Sequence, residues 1–303
     1  MSTYPAGVPS VAKTTHWTLR EKKQRGEPIT ALTAYDYPTA RLLDEAGIDI
    51  VLVGDSVAMA VLGHESTLSL TMDEMLHHAK AVKRAVKSAL LVVDMPYGSY
   101  HTTDDDAVRN ALRLVQEGGA EAVKLEGGAH RAPLVERLTR AEIQVVGHIG
   151  LTPQSLNRMG GYRVQGRSIP EIEKLLTDAV ALEAAGAIAL VLEGIPREVA
   201  ARITAAAGIP TIGIGAGPNC DGQILVFHDL FNLTFSEPAK FVRRYADAAS
   251  FFSIALDQYR SDVTTHTFPA DAESYHLSRE VAASIDLQGE ALLKSTLEPV
   301  GKE

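Results

Sequence analysis

The chain has 303 residues, of which 46% are hydrophobic and 22% charged, and carries a formal net charge of −9. That balance excludes disorder, and scattered Lys and Arg residues lack the basic stripe of a nucleic-acid binder, so small molecules are the expected partners. Cys220 is the sole cysteine, which excludes an intrachain disulfide and a thiolate-rich zinc site, and no apolar run approaches the roughly 20 residues of a membrane span.

Residues 1–10 are rich in Pro, Gly and Ser, with no apolar segment of a secretory signal behind them. Lys13, Arg20, Lys22, Lys23 and Arg25 give a faint organelle-targeting character that Glu21 interrupts, so a cytoplasmic protein is expected. From Ile29 onward, short apolar runs alternate with longer stretches of helical spacing. Strands are expected at Ile29 to Ala34, Ile48 to Gly54, Ala89 to Asp94, Ala122 to Glu126, Gln144 to His148, Ala187 to Glu193, Pro210 to Gly215 and Ile224 to His228. The helices between and after them are expected at Pro38 to Ala46, Thr71 to Val86, Asp104 to Glu117, Arg131 to Arg140, Pro170 to Ala185, Arg197 to Ala206 and Pro238 to Tyr259. Thr103 and Asp104 can cap a helix start, and Gly47, Gly118 and Gly186 stand where helices should stop.

Runs such as VLVG, LLVVD and ALVLE are continuously apolar, as strands are when helices cover one face and a barrel core fills the other. Eight βα units predict an α/β protein with a (β/α)8 barrel, an open doubly wound sheet being the runner-up. One barrel domain is expected over 1–303, with its core at about 29–260, an N-terminal extension and a C-terminal tail from about 261 to 303, weakly helical from Leu277 to Leu297.

In such a barrel the site forms at the C-terminal ends of the strands. The polar residues there are Asp55 and Ser56, then Asp94, then Lys124 and Glu126, then His148, then Glu193, then the glycine-rich GIGAG at 213–217. Asp55, Asp94 and Glu126 taken singly each read as a helix cap; three carboxylates converging on one mouth would repel, and a cation resolves the conflict. Hard oxygen ligands without cysteine favour Mg²⁺. Lys124 and Glu126 are two apart on a strand and share a face, so they either pair with each other or present the lysine to a substrate carboxylate. Glu193, after three apolar residues, suits a general base near neutral pH, the alternative being a salt bridge across the barrel mouth, and His148, which alone reads more often as a hydrogen-bonded structural residue, is given a supporting role. GIGAG either cradles phosphate or allows close backbone packing. Cys220 reads as an inert thiol.

The strings TAYDYPTARLLDEAGID, LVGDSVAMAVLGHESTLSLTMDEM, VVDMPYGSY, VKLEGG, VVGHIGLTPQSLNRMGGYRVQGR, LVLEGIP and IPTIGIGAGPNCDGQILVFHDLF, followed by FPADAESYH, resemble the ketopantoate hydroxymethyltransferase family in the same order. The resemblance implies a barrel of the isocitrate lyase and phosphoenolpyruvate mutase type. It implies transfer of a hydroxymethyl group from 5,10-methylenetetrahydrofolate to 3-methyl-2-oxobutanoate, through a magnesium-stabilised enolate, in pantothenate and coenzyme A biosynthesis. The implied magnesium ligands are Asp55, Asp94 and Glu126, the oxoacid contacts Asp55, Ser56, Asp94 and Lys124, and the base Glu193. A large homo-oligomer, commonly a decamer, is implied as well. Gly194 stands where many relatives have cysteine, and Arg163 where lysine is frequent. The competing readings are another magnesium-dependent 2-oxoacid lyase or mutase, against which the absence of a KKCGH motif counts, and a barrel that binds without catalysis.

Overall fold

A computed structural model describes residues 12–235 and 237–284. The described residues up to Asp247 form one compact unit and those from Ala248 another. Eight parallel strands close the first unit into a barrel in the order of the chain. They are β1 Ile29–Thr33, β2 Ile50–Val53, β3 Leu90–Asp94, β4 Ala122–Glu126, β5 Val145–Gly150, β6 Ala189–Glu193, β7 Thr211–Ile214 and β8 Gly222–Leu225. The barrel closes where Ala31 registers with Ile224. The helices of this unit are α1 His16–Arg25, α2 Tyr37–Glu45, α3 Met72–Ala85, α4 Asp104–Gln116, α5 Ala132–Arg140, α6 Ile169–Ala184 and α7 Arg197–Ala206.

The apolar runs split by strand period into two cores. Val51, Val53, Leu91, Val93, Val123, Leu125, Leu190 and Leu192 belong to the cluster that the surrounding helices join. Ile29, Ala31, Ile50, Leu52, Leu90, Val92, Ala122, Val146, Ala189, Val191, Ile212 and Ile224 fill the barrel interior. Successive strand side chains alternate between faces, so one run feeds both cores. Continuing the interior series upward by twos reaches Asp94, Lys124, Glu126, His148 and Glu193, and this step alone puts the chemistry above the barrel core.

Three elements depart from the sequence reading. The basic stretch before Ile29 is a helix, α1, capped by Thr15 through a reciprocal bond with Thr18. Its one fully buried side chain, Leu19, joins the barrel-interior cluster and plugs the lower end. Its lysines serve the barrel: Lys22 Nζ lies 2.5 Å from Asp49 Oδ1, and Lys23 Nζ 2.8 Å from Asp221 Oδ2. The eighth strand begins at Gly222, earlier than expected, because a Cβ there would meet the Ile29 carbonyl oxygen at 2.5 Å. Only glycine lets β8 approach β1 closely enough to close the ring, and Phe227–Leu230 then turns as a short helix. The helix expected from Pro238 does not form over 238–247; instead α8 spans Ala248–Thr264 in the second unit. Of the weakly helical tail, residues 279–284 are helical and 285–297 lie outside the described residues. Among the described residues no helix is long and apolar enough to cross a membrane.

Candidate active site

A cavity of about 360 Å³ opens at the C-terminal mouth of the barrel, lined by Asp55, Ser56, Asp94, Lys124, Glu126, His148 and Glu193 among others. All seven expected site residues therefore meet in one place. Strand register explains how: Asp94 pairs with Lys124 across β3 and β4, and Glu126 with His148 across β4 and β5. Met59, Leu151, Tyr162, Ile214 and Phe241 supply an apolar wall. A larger groove, about 820 Å³, follows β1 and β8 and contains none of these seven residues.

The three carboxylates are not helix caps. Asp94 Oδ2 accepts the Asp55 amide at 2.9 Å, Asp55 Oδ2 accepts Gln154 Nε2 at 2.9 Å, and Glu126 Oε2 accepts the Gln154 amide at 2.9 Å. The sequence reading left Lys124 a choice between Glu126 and substrate; its ion pair is with Asp94 Oδ1, at 3.1 Å. Burial alone would lower the Lys124 ammonium, but Asp94, Asp55 and Glu126 outweigh it and raise its pKa. Burial raises Asp55 to about 6, with Glu126 adding repulsion and Lys124 opposing. Asp94 is likewise raised to about 6 by burial, with Lys124 opposing and Asp55 adding to the rise.

His148 bridges the two halves of this cluster. Its Nδ1 lies 3.4 Å from Glu126 Oε1, and its Nε2 lies 3.1 Å from Glu193 Oε2. Burial and the neighbouring Lys124 both work to lower the imidazole, yet the Glu126 and Glu193 carboxylates prevail and hold it at about 9. At neutral pH the histidine is therefore a cation between two acids, a stronger role than the supporting one its sequence context warranted. Glu193 keeps 16% of its side chain exposed, the most open of the group's acids.

Three contributors were missed. Gln154 ties Asp55, Glu126 and the Met95 carbonyl together. Tyr100 hydroxyl donates to Gln154 Oε1 at 2.6 Å and accepts the Glu126 amide at 3.2 Å. Tyr35 hydroxyl lies 2.8 Å from Ser56 Oγ. Tyr35 and Tyr100 sit in a loop and a turn and Gln154 in the short 3₁₀ helix Pro153–Ser155, none of which carries a periodic signal, so only contact reveals them. The GIGAG loop serves packing: a Cβ on Gly215, at φ +63°, would meet the Phe241 ring at 2.6 Å. Cys220 is half-buried, and burial pushes its thiol up, as fits an inert side chain.

Among the described residues no ready-made group of three or more His, Cys, Asp or Glu side chains stands arranged to hold a metal ion. The donor set nevertheless fits a hard divalent cation. Asp94 Oδ1 and Glu126 Oε1 are buried carboxylate oxygens without a hydrogen bond, held only by ion pairs with Lys124 and His148, and Mg²⁺ takes hard oxygen ligands, completing its shell with water and substrate oxygens.

A family model described as ketopantoate hydroxymethyltransferase matches residues 13–271. The chain belongs to the ketopantoate hydroxymethyltransferase family. A 3-methyl-2-oxobutanoate hydroxymethyltransferase of Koribacter versatilis (strain Ellin345) is 63% identical over 276 residues, 91% of this chain and 94% of the relative. One from Geotalea daltonii (strain DSM 22248 / JCM 15807 / FRC-32) is 54% identical over 263 residues, 87% of this chain and 98% of the relative. Membership makes the chain an enzyme, a 3-methyl-2-oxobutanoate hydroxymethyltransferase acting on small molecules. Among solved structures, phosphonopyruvate hydrolase in complex with oxalate and Mg²⁺ superposes with a TM-score of 0.55 at 15% identity, covering 92% of this chain and 96% of that one. A 2,3-dimethylmalate lyase, a PEP mutase/isocitrate lyase superfamily member, gives 0.55 at 17% identity, with 95% and 99% covered. The likeness to both is one of fold: the barrel is of the isocitrate lyase and phosphoenolpyruvate mutase type.

Proposed function

We propose that the chain transfers the one-carbon unit of 5,10-methylenetetrahydrofolate to C3 of 3-methyl-2-oxobutanoate, yielding 2-dehydropantoate for pantothenate and coenzyme A synthesis. The observation that carries this reading is the row Glu126, His148, Glu193, in which His148 spans two carboxylates within 3.4 Å and 3.1 Å at the rim of the cavity. One end of that row belongs to the buried acid and lysine cluster, and the other is a carboxylate open to the cavity.

Asp55, Asp94 and Glu126 would hold Mg²⁺, which when bound supplies Lewis-acid stabilisation of the charge that develops on the keto oxygen. Lys124 and Ser56 hold the substrate carboxylate, and Tyr35 orients the serine hydroxyl. Lys124 reaches the same acids from below, so its charge compensates them before substrate arrives. Glu193 removes the proton from C3. His148 holds one Glu193 oxygen in place and stands between it and Glu126. The C3 electron pair then forms the new carbon–carbon bond to the one-carbon unit, which leaves both folate nitrogens. One water supplies the hydroxyl oxygen, so tetrahydrofolate and 2-dehydropantoate balance the reactants. Leu151, Tyr162 and Phe241 line the apolar side of the cavity, against which the isopropyl group packs.

The family resemblance extends this reading to a cytoplasmic homo-oligomer, a decamer, which sedimentation velocity tests. The chemistry is tested by proton NMR of 3-methyl-2-oxobutanoate in D₂O with enzyme and Mg²⁺ but no folate. Metal-dependent loss of the C3 proton signal is expected; a signal that persists at the rate of the enzyme-free control sinks the reading.

A further inference from the structure

Beside the mouth lies a second, separate cavity of about 250 Å³, lined by Tyr97, His101, His130, Arg131, Arg158 and, at its inner end, Glu126. Glu126 also lines the main cavity, so the two adjoin. Neither Arg131 nor Arg158 forms an ion pair among the described residues. Arg131 stacks over the Tyr100 ring at 4.7 Å and gives one bond, from Nη1, to the Tyr100 carbonyl at 3.2 Å. Its Nε is buried with no hydrogen-bond partner, and an unmet N–H of that kind is costly.

Among the described residues no carboxylate pairs with either arginine in this cavity. Glu126, the one carboxylate lining the cavity among the described residues, is engaged by the Gln154 amide and faces His148. Asp178, the acid that acts on His130, is held by Lys174 and by the Ala129 amide. Burial pushes His101 down to about 4, with Arg131 and His130 acting in the same direction. His130 is lowered too, by burial first and then by Arg131 and Arg158. At neutral pH the cavity therefore presents two guanidinium groups, uncharged imidazoles, and a half-exposed Tyr97 ring at its edge. A guanidinium matches the planar fork of a carboxylate, and two of them line this cavity.

We infer that this cavity seats the carboxylate-bearing benzoylglutamate end of the one-carbon donor, with Arg131 and Arg158 on the carboxylates and Tyr97 beside the benzoyl ring. The inference rests on the folate-dependent reading above. It places the donor's anionic end beside the reaction centre, so that its one-carbon end lies over the mouth.

The test is calorimetric titration of the Mg²⁺ and 3-methyl-2-oxobutanoate complex with tetrahydrofolate and with tetrahydropteroate, which lacks the glutamate. Wild-type protein is expected to favour tetrahydrofolate by about ten-fold or more, the worth of a charge-assisted bond. Arg158→Gln and Arg131→Gln are each expected to erase most of that preference while leaving tetrahydropteroate affinity within about two-fold. Arg158 is exposed, so its variant keeps the test standing if the stacked Arg131 is needed for folding. Equal wild-type affinity for the two ligands overturns the inference, as does an equal loss for both in Arg158→Gln. Inorganic phosphate is expected to compete with tetrahydrofolate; arginine-dependent phosphate binding alongside tetrahydrofolate, without competition, would make this a free-phosphate site instead. Wild-type C3 proton exchange without folate reads the enolisation step separately. Exchange that fails while the ligand preference holds sinks the mechanism and spares the cavity assignment; the reverse result sinks the cavity alone.

Discussion

The two ends of the barrel treat charge in opposite ways. At the lower end Asp49 accepts from Lys22, the Thr30 amide and the Thr30 hydroxyl, while Asp221 accepts from Lys23, the Thr211 amide and the Thr211 hydroxyl. Glu121 repeats the pattern with Lys13 and the Leu91 amide. Each acid there ties a lysine to the start of a strand. At the upper end Asp94 Oδ1, Glu126 Oε1 and His148 Nε2 are buried without a hydrogen bond, and two carboxylates are held near pH 6 by burial. The lower end commits its polar groups to hydrogen-bonded closure of the barrel, whereas the upper end holds these atoms only by ion pairs, Asp94 with Lys124, Glu126 with His148 and His148 with Glu193, where a ligand can compete for them. Unsatisfied buried polar groups cost stability, so such a site is held in place by the rest of the fold.

The largest break in this contrast is expected from Glu193→Gln, which should slow C3 proton exchange in D₂O by about 10²–10⁴-fold, the usual contribution of a general base. Its unfolding midpoint in urea should fall modestly, since the neutral amide leaves the buried His148 with Glu126 as its carboxylate partner. Exchange at the wild-type rate would take the base away from Glu193. Leu19→Ala should do the reverse, costing about 2–5 kcal/mol in urea unfolding as a large-to-small change in a closed core. Proton exchange per folded molecule should survive, because α1 is at the far end; a parallel loss of exchange would show that the two ends are coupled. Lys23→Met is expected to cost less, about 1–3 kcal/mol, by stripping one charged partner from Asp221, whose two Thr211 bonds remain.

The smallest signal sharpens the upper end through pH. A carboxyl raised to about 6 in the fold, against 3.8 for the free group, favours the native state when protonated. Its ionisation therefore withdraws stability as pH rises from about 4 to above 6. With chelator present, Asp94→Asn should gain on wild type over that interval, read as the difference in urea midpoints at pH 4.5 and pH 7. Added Mg²⁺ should reverse the gain, because a bound cation favours the ionised wild-type acid. A difference that stays flat with pH in chelator would remove burial as the source of the raised Asp94.

Most of the barrel was legible because its strands are apolar runs that end on a polar residue. Asp94, Glu126, His148 and Glu193 announced themselves by closing such runs, and Asp55 and Ser56 by following one. Gln154, Tyr100 and Tyr35 did not, since a polar residue in a connection between two elements has no background against which to stand out. Helix α1 was overlooked because it buries one side chain fully and is polar elsewhere, leaving little periodic signal. The segment from Pro238 was read as a helix on its helical spacing, yet residues 238–247 remain loop and turn until α8 begins at Ala248.

By itself the sequence determined the eight βα units, the side-chain types at the strand ends and the family, because periodicity and strings of residues are one-dimensional facts. Only the tertiary structure decided which groups meet. Lys124 shares a strand face with Glu126, but the β3 to β4 register sets it against Asp94. His148 reads as a lone histidine until pairing of β5 with β4 on one side and β6 on the other brings Glu126 and Glu193 to either side of it. The unpaired arginines beside the mouth likewise emerge only when three segments, around residues 97–101, 126–131 and 154–158, enclose one cavity. Electrostatic pairing depends on distance and burial, and those are fixed by register and closure rather than by the order of residues.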